Sequence, residues 1–566
     1  MYQELIDELQ PKPIFNLKWY GNEDLYSDGD IEDTIIQMIA QNAPEDYTQA
    51  IADNYCWPTF YHLTRIRQNI LNWYPFKKEG HVLEIGCGFG AITGLLCDRC
   101  EKVTAVELSK RRATGALLRC RERENLEIIV GNLNDIEFEE KFDYITLIGV
   151  LEYQGSYTNT DNPYLDFLKK IKSLLKPDGK LLIAIENQYG LKYWCGIPED
   201  HTGIPFDGMN QYEMSNGKIR TFSKQKIDVL IKKSGFSNTF FYYPLPDYKL
   251  PQNIYSEKYL PQSINTTNLI TYYITGTGTM VANEEKLYSD IINNEVFEFF
   301  ANSFLVECCN TEVEKHVTFS RISYNRYPEY TIGTTFWEKE KVIKFPLYGG
   351  TQHIRQVAKN EVDLAASGLK VLMSSFDEKG NLVSEFQTKE LLEGVLLEAY
   401  QNGNKQRIYE IWDKIWNDIS ISSDEVPWNE NIMYTMNLGI PEDENKYGKI
   451  LRTGFLDMTV SNAFCDNEDL LWFDQEWVLE NVPAKFVLFR TIKMFYSVYY
   501  GICERNVPLN EIADRYELRD GWNDYGKLEE LFQGVVVDNL HFSEFLSLRG
   551  NSLEDRTSSI KRLMNI

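Results

Sequence analysis

Between residues 81 and 245 the sequence alternates apolar, β-branched runs with helix-forming stretches. In order these are HVLEIG, a helix through LLCDR, KVTAVEL, a helix through LLRCRERE, LEIIVG, FDYITLIGV, a helix ending at LLKPDG, and KLLIAIE. Strands separated by helices are joined by crossovers, which makes them parallel and covers both sheet faces. The expected fold class is α/β, a doubly wound Rossmann-like sheet. Ligands in such sheets bind at the carboxyl ends of the strands, and there the chain concentrates glycines and acids. Glu84, Gly86, Gly88 and Gly90 form E-x-G-x-G-x-G at the first strand-to-helix turn. Glycines at that turn let backbone approach a ligand, and the helix start offers free N–H groups. Glu107 ends the next strand, 17 residues after Gly90, where a carboxylate can accept both hydroxyls of a ribose. A dinucleotide site uses the same logic. Here, however, the later glycine that packs a dinucleotide helix is missing, and Glu84 places an acid where an ammonium fits better than a pyrophosphate.

These residues resemble class I S-adenosylmethionine-dependent methyltransferases over about 80–245. The resemblance implies that the Gly86–Gly90 turn faces the methionine part, Glu107 the ribose, and Asn132 and Leu133 the adenine. Gly149, in Gly149-Val-Leu-Glu152-Tyr153, would lie beside the methyl donor. After the fifth strand comes an insertion from Glu186 to Gly203 that ends in Glu199-Asp200-His201-Thr202. His201 can serve as general base for a hydroxyl acceptor, with Asp200 or Glu199 beside it. Equally, Asp200, His201 and Thr202 can fix the loop, and a phosphate acceptor needs no base. This loop, the YSDG lead-in at Tyr26–Gly29 and the PLPDYKLP segment resemble methyltransferases encoded with bacterial surface-polysaccharide enzymes. The implied acceptor is a glycan or glycolipid-linked oligosaccharide, and the YSDG segment is expected to close over the cofactor.

A second constellation follows. Asp457 precedes Asn462 by five residues, and Asp474 closes the apolar run LLWF. Upstream, Lys344 sits in the β-branched run KVIKF and Glu361 lies 17 residues on, in an expected helix. Phosphoryl transfer needs such groups: a carboxylate to hold and deprotonate a hydroxyl, an Asn and a second Asp for the metal, and a lysine for the phosphates. Over roughly 315–500 these pieces resemble the protein-kinase-like superfamily in its small-molecule and sugar-kinase branches. That resemblance implies ATP and magnesium, with Asp457 as base, Asn462 and Asp474 as metal ligands, and Lys344 with Glu361 at the nucleotide. Departures are Leu456 in place of the usual catalytic-loop histidine, Asp-Gln-Glu as the third motif, and a single glycine, Gly333, in the covering loop. An active kinase and a catalytically silent binding module both remain open. Arg326 is read as structural, and His353, on the HIRQV helix, either approaches a phosphate or is a packed or solvated histidine.

The expected divisions are a helical lead-in and lid over 1–75, a methyltransferase domain over 76–285, a two-lobed α+β kinase-like domain over 286–545 and a tail over 546–566. A methyltransferase followed by a kinase-like domain resembles the enzymes that cap bacterial O-antigen polysaccharides by phosphorylating and then methylating a terminal sugar. Polysaccharide glycosyltransferases are implied partners, although the tail is too short for the coiled coil that docks a polymerase. With 58 Lys and Arg against 84 Asp and Glu the net charge is -26, which opposes binding to nucleic acid or anionic lipid. No run of about 18 apolar residues is present, so no spanning helix is expected. Ten scattered cysteines fit a reducing compartment, and only Cys97/Cys100 has metal-like spacing, with no second pair. The expected location is the cytoplasm, compatible with a peripheral place at the inner face of the membrane. Three readings follow: a bifunctional methyltransferase–kinase, a glycan methyltransferase with a silent module, and a non-enzymatic scaffold.

Overall fold

A computed structural model describes residues 13–24, 26–215, 217–262, 269, 281–312, 316–323, 325–438, 446–538 and 540. The expected tail over 546–566 lies outside the described residues. The chain divides into two compact units, one of Met1–Tyr324 with Leu540–Ile566 and one of Asn325–Asn539.

The first unit is built on β1 (Ile14–Asn16), β2 (His81–Ile85), β3 (Lys102–Glu107), β4 (Leu126–Val130), β5 (Phe142–Ile148), β6 (Leu175–Glu186), β7 (Asn238–Leu245), β8 (Asn253–Ser256), β9 (Ser303–Cys309) and β10 (Val317–Ile322). Their order is β1-β4-β3-β2-β5-β6-β9-β7-β8-β10. From β1 to β6 every pairing is parallel; β6/β9, β9/β7, β7/β8 and β8/β10 are antiparallel. The parallel half is the one read from the sequence. Its central strands are buried on both faces, which explains their unbroken apolar runs.

Helices Thr93–Arg99, Lys110–Arg119 and Pro163–Leu174 supply crossovers. Ser109 caps the second by accepting from the Arg112 N–H. In the lead-in, helix Ile31–Gln41 buries Ile35, Ile36 and Ile39 at the helical spacing seen in the sequence. The helix ends at Leu174, the first residue of LLKPDG as expected, and β6 begins at once, where Leu175 pairs with Phe142 before an irregularity in the register. The first unit also runs past the expected boundary at 285. The apolar run SFLVECC forms β9, hydrogen-bonded between β6 and β7, so these residues complete the first sheet.

Topology places the turn after β2, the end of β3, the turns after β4 and β5 and the end of β6 on one edge of the sheet. The candidate residues Gly86–Gly90, Glu107, Asn132–Leu133, Gly149 and Glu186 occupy those places. Cys97 and Cys100 are buried free thiols, the latter pushed up to about 12 by burial, so the pair behaves as core.

The second unit is α+β, strand-rich first and helix-rich later. β11 (Ile332–Trp337) and β12 (Lys341–Pro346) form an antiparallel hairpin, and Leu382–Glu385 pairs with β12 beside helix Thr351–Ala365. Helices Leu392–Gln401, Lys405–Ile421 and Ala484–Asn506 then pack a core that includes Tyr400, Trp412, Trp472 and Phe495. Two small three-stranded sheets carry Ile450–Phe455 and Asp469–Trp472, the strands that lead into the Asp457 and Asp474 turns.

Candidate functional site

The edge of the first sheet opens into a cavity of about 600 Å³. Gly86, Gly88, Glu107, Asn132, Leu133 and Gly149 line it, and so do Glu152, Tyr153, Glu186, Asp200 and His201. The glycine-turn end is held by the chain's own bonds. Glu107 accepts from the Gly88 N–H at 2.8 Å and from the Ser109 N–H at 3.1 Å, so one carboxylate shapes the turn and caps the next helix start. Burial pushes Glu107 up, opposed by these N–H groups and by Arg112. Gly88 lies at φ +54 with open space where a Cβ would stand, so a side chain there would enter the cavity. Gly149, at φ +71, would place a Cβ 2.7 Å from the Tyr248 hydroxyl.

Two expected ligand residues, Gly90 and Glu84, stand apart from the cavity lining. A Cβ at Gly90, at φ +78, would meet Ala116 Cα at 3.1 Å, so this glycine lets the turn pack on the next helix. Glu84 is set back as well. It does not line the cavity; it lies beneath the turn in a recess of about 30 Å³ beside Arg67. There it accepts from the Thr93 hydroxyl at 2.6 Å, and burial raises it to about 7. Asn132 caps a short turn by accepting from the Asn134 N–H and donates to the Tyr157 carbonyl.

Tyr26 and Asp28 of the lead-in also line the cavity. Arg112 donates to Asp28 at 2.6 Å and to Glu32 at 2.8 Å, and its guanidinium lies 4.4 Å from the Tyr26 ring centre. Tyr26 meets Tyr153 edge-to-face.

The insertion end is densely charged. The His201 ring is 5% exposed; its Nδ1 lies 3.0 Å from Glu199 Oε1, and its Nε2 lies 3.6 Å from Glu152 and 3.8 Å from Glu186. Glu199 also accepts the backbone N–H of His201 at 2.7 Å and of Thr202 at 2.8 Å. Burial alone would favour the neutral ring, but Glu186, Glu152 and Glu199 outweigh it and hold His201 well above its ordinary value. A protonated ring donates hydrogen bonds, and the three carboxylates around His201 favour that form. Asp200 is held well below the carboxylate range: burial opposes its charge, but Lys192, Lys249 and His201 offset that. It accepts from Lys192 at 2.7 Å, from Lys249 at 3.0 Å and from the Tyr193 hydroxyl, so it too is a paired anion.

The structure gives a place to residues that lie in segments named from the sequence but had no individual role there. Glu152 follows β5, Glu186 ends β6, and Tyr248 and Lys249 come from the PLPDYKLP segment; Lys249 pairs with Glu186. Each comes from a different stretch of chain and none has a spacing that announces it.

In the second unit Lys344 forms an ion pair with Asp474 and not with Glu361. Glu361 instead accepts from the Ser374 N–H and hydroxyl, both at 2.9 Å. Asp474 sits at φ +57, in the left-handed region. Asp457 accepts from the Glu476 and Trp477 N–H groups at 2.9 Å, and Asn462 donates to the Asp457 carbonyl at 3.2 Å. Burial raises Asp457 against the pull of Arg490, and burial lowers Lys344. Glu476, the third residue of the Asp-Gln-Glu motif, was not singled out. It pairs with Arg326 and lies 3.1 Å from His353 Nε2; these and Lys344 hold it low although burial opposes its charge. Arg326 and His353 are thus partners of the motif as well as packing residues.

Residues 83–183 match the family described as "Methyltransferase domain". Among curated proteins, the chain is 32% identical over 118 residues to a malonyl-[acyl-carrier protein] O-methyltransferase of Priestia megaterium, covering 20% of this chain and 40% of that protein. It is 34% identical over 114 residues to an uncharacterized methyltransferase of Staphylococcus carnosus, covering 20% of this chain and 51% of that one. The chain spans about half or less of the length of these relatives. A methyltransferase solved with the Haloferax volcanii Trm112 activator aligns with 48% of this chain and 96% of its own, at 13% identity and a TM-score of 0.28. Residues 83–183 are a class I, S-adenosylmethionine-dependent methyltransferase domain.

Proposed function

We propose that the first unit transfers a methyl group from S-adenosylmethionine to an acceptor that enters from the insertion end of the cavity. The observation that carries this reading is the single cavity that joins the glycine turn and Glu107 to Glu152, Asp200 and His201. The cofactor fits the donors present: the open face of Gly88, the remaining lone pairs of Glu107 for ribose hydroxyls, and the Asn132–Leu133 turn for the adenine. When bound, it supplies an electrophilic methyl on a sulfonium.

The chain's own groups do the rest. Glu107 fixes the turn and accepts hydroxyls. Tyr26 and the aromatic rings beside it exclude water from the cavity mouth. His201 and Lys249, both paired with carboxylates, line the acceptor end and supply N–H donors there. Because three carboxylates surround His201, the ring is placed to hold an acceptor and not to deprotonate it, and an acceptor that needs no base, such as a terminal phosphate on a glycan, is consistent with that arrangement. His201→Ala would then weaken acceptor binding more than it slows the chemical step; a rate loss of about a hundredfold with acceptor KM unchanged would restore the base reading.

The Lys344–Asp474 pair beside Asp457 and Asn462 favours a phosphotransferase reading of the second unit, with ATP and magnesium. In that reading Asp457 holds the acceptor hydroxyl, and Asn462 with Asp474 holds the metal. The combined function is a bifunctional enzyme that phosphorylates and methylates the end of a bacterial surface glycan. Incubation of the full chain with labelled ATP, magnesium and a panel of glycan termini, with methylation scored before and after, tests it. ATP binding without transfer, alongside methylation that needs no prior phosphorylation, would leave the second unit as a silent binding module.

A further inference from the structure

The insertion end of the cavity holds two acids that its hydrogen bonds leave incomplete. Glu152 is 1% exposed and Glu186 is 0% exposed, yet the Oε2 atom of each finds no hydrogen-bond partner among the described residues. Both side chains line the cavity. A buried carboxylate oxygen without a donor is costly, and such a group calls for a ligand. His201 Nε2 lies between the two acids, nearest Oε1 of Glu152 and the unpartnered Oε2 of Glu186. Donor atoms of Glu152, Glu186 and His201 all lie within 4.8 Å of one another, with Nε2 at 3.6 and 3.8 Å from the two carboxylates. Those separations are too long for hydrogen bonds. They are close to the spacing of atoms that share an ion, since bonds of roughly 2.1 Å place neighbouring ligand atoms about 3–4 Å apart.

The second shell supports the same assignment. Glu199 holds the opposite ring nitrogen, Nδ1, at 3.0 Å, and its other oxygen is anchored by two backbone N–H groups. A carboxylate that fixes Nδ1 so that Nε2 is presented inward is the arrangement by which metal-binding histidines are oriented.

We infer that Glu152, Glu186 and His201 bind a divalent cation in the acceptor half of the cavity, with Glu199 as the positioning residue. Two carboxylate oxygens and one imidazole nitrogen suit a first-row ion such as Mn²⁺ or Zn²⁺. The ion replaces the Nε2 proton and offsets the same two carboxylates. Three protein ligands leave coordination positions for oxygens of an acceptor, so the site selects acceptors with a phosphate or adjacent hydroxyls. This deepens the methyl-transfer reading, but its binding test does not depend on turnover.

The test is titration of the full-length protein with Mn²⁺ alone, free Mn²⁺ being followed by electron paramagnetic resonance. Asp474→Asn is used as the background, so that the second unit's candidate metal ligands do not contribute. One Mn²⁺ per chain is expected. Adding Glu152→Gln and Glu186→Gln should weaken it about a hundredfold or more, and Glu199→Gln about tenfold. Should the double variant fail to fold, ¹⁵N-histidine spectra of the background protein decide: of six histidines, His201 alone should be broadened by Mn²⁺. Absence of a bound ion, unchanged affinity in the double variant, or broadening of other histidines with His201 untouched overturns the inference. S-adenosylhomocysteine binding, measured on the same samples, separates its failure from failure of the methyl-transfer reading.

Discussion

The glycine-turn end of the first site and the second unit's candidate site differ in how their charged groups are spent. In the first unit, backbone N–H groups fix Glu107 from behind, while the face that a ligand would meet stays open at Gly88. In the second unit the functional groups satisfy one another: Lys344 with Asp474, Glu476 with Arg326, and Asp457 with two N–H groups and Asn462 below it. The first arrangement receives a ligand with little rearrangement. In the second, nucleotide and metal must take the place of a formed ion pair, which lowers affinity by the cost of parting it. Preorganisation is therefore a property of each site, set by whether backbone or side chains fill the first layer of contacts.

The contrast can be broken from its strongest side first. Asp457→Ala should reduce phosphoryl transfer by roughly 10²–10⁴-fold and spare nucleotide binding, whereas Asp474→Ala should abolish magnesium-dependent binding itself; equilibrium dialysis and labelled transfer read the two separately. If both variants behave alike, the assigned division of roles fails. Next, Gly88→Val should cut S-adenosylmethionine affinity by about a hundredfold or more, because a β-branched residue is strained at φ +54 and its side chain fills the open face. Calorimetry checks this, and retained affinity would place the ligand elsewhere. Glu107→Ala should weaken the same binding at least about tenfold, since each charge-assisted hydrogen bond carries roughly 1.5–3 kcal/mol.

The smallest effect is one of pH. Glu84 is raised to about 7 in the folded chain, so its neutral form is the one that folding favours. The associated stability is fully present below the unfolded value and is lost as pH rises through about 7. The loss is on the order of 3 kcal/mol and is complete by about pH 8, since the folded value lies well above the ordinary 4.5. Glu84→Gln should flatten that pH dependence in denaturation experiments. An unchanged profile would mean that Glu84 is ionised in the recess, as an ammonium partner would be.

What the sequence disclosed follows from where the signal is stored. Strands β2 to β6 and their helices are periodic, and the glycine turn is contiguous, so both were legible. β9 escaped because SFLVECC has no alternation and pairs with strands roughly 60 to 130 residues away in the chain. The insertion was legible as a polar cluster, but not the state of His201, which depends on Glu152 and Glu186 from two other strand ends. In the second unit the order Lys344, Asp457, Asn462, Asp474 was visible. The pairing of Lys344 was not, because Glu361 is turned to Ser374 by the register of its helix. No helix among the described residues is long and apolar enough to cross a membrane.

Glu107 holds the Gly88 N–H, so the carboxylate proposed for the ribose is also the strut of the turn that approaches the rest of the cofactor. A change at either position is felt at both. Lesions at Gly88 and Glu107 should combine sub-additively, the second costing far less once the first is present, because each destroys part of what the other supports. A genetic screen would score them as a single locus of tolerance, 19 residues apart in sequence, and compensation for one should arise at the other before it arises anywhere else in the cavity.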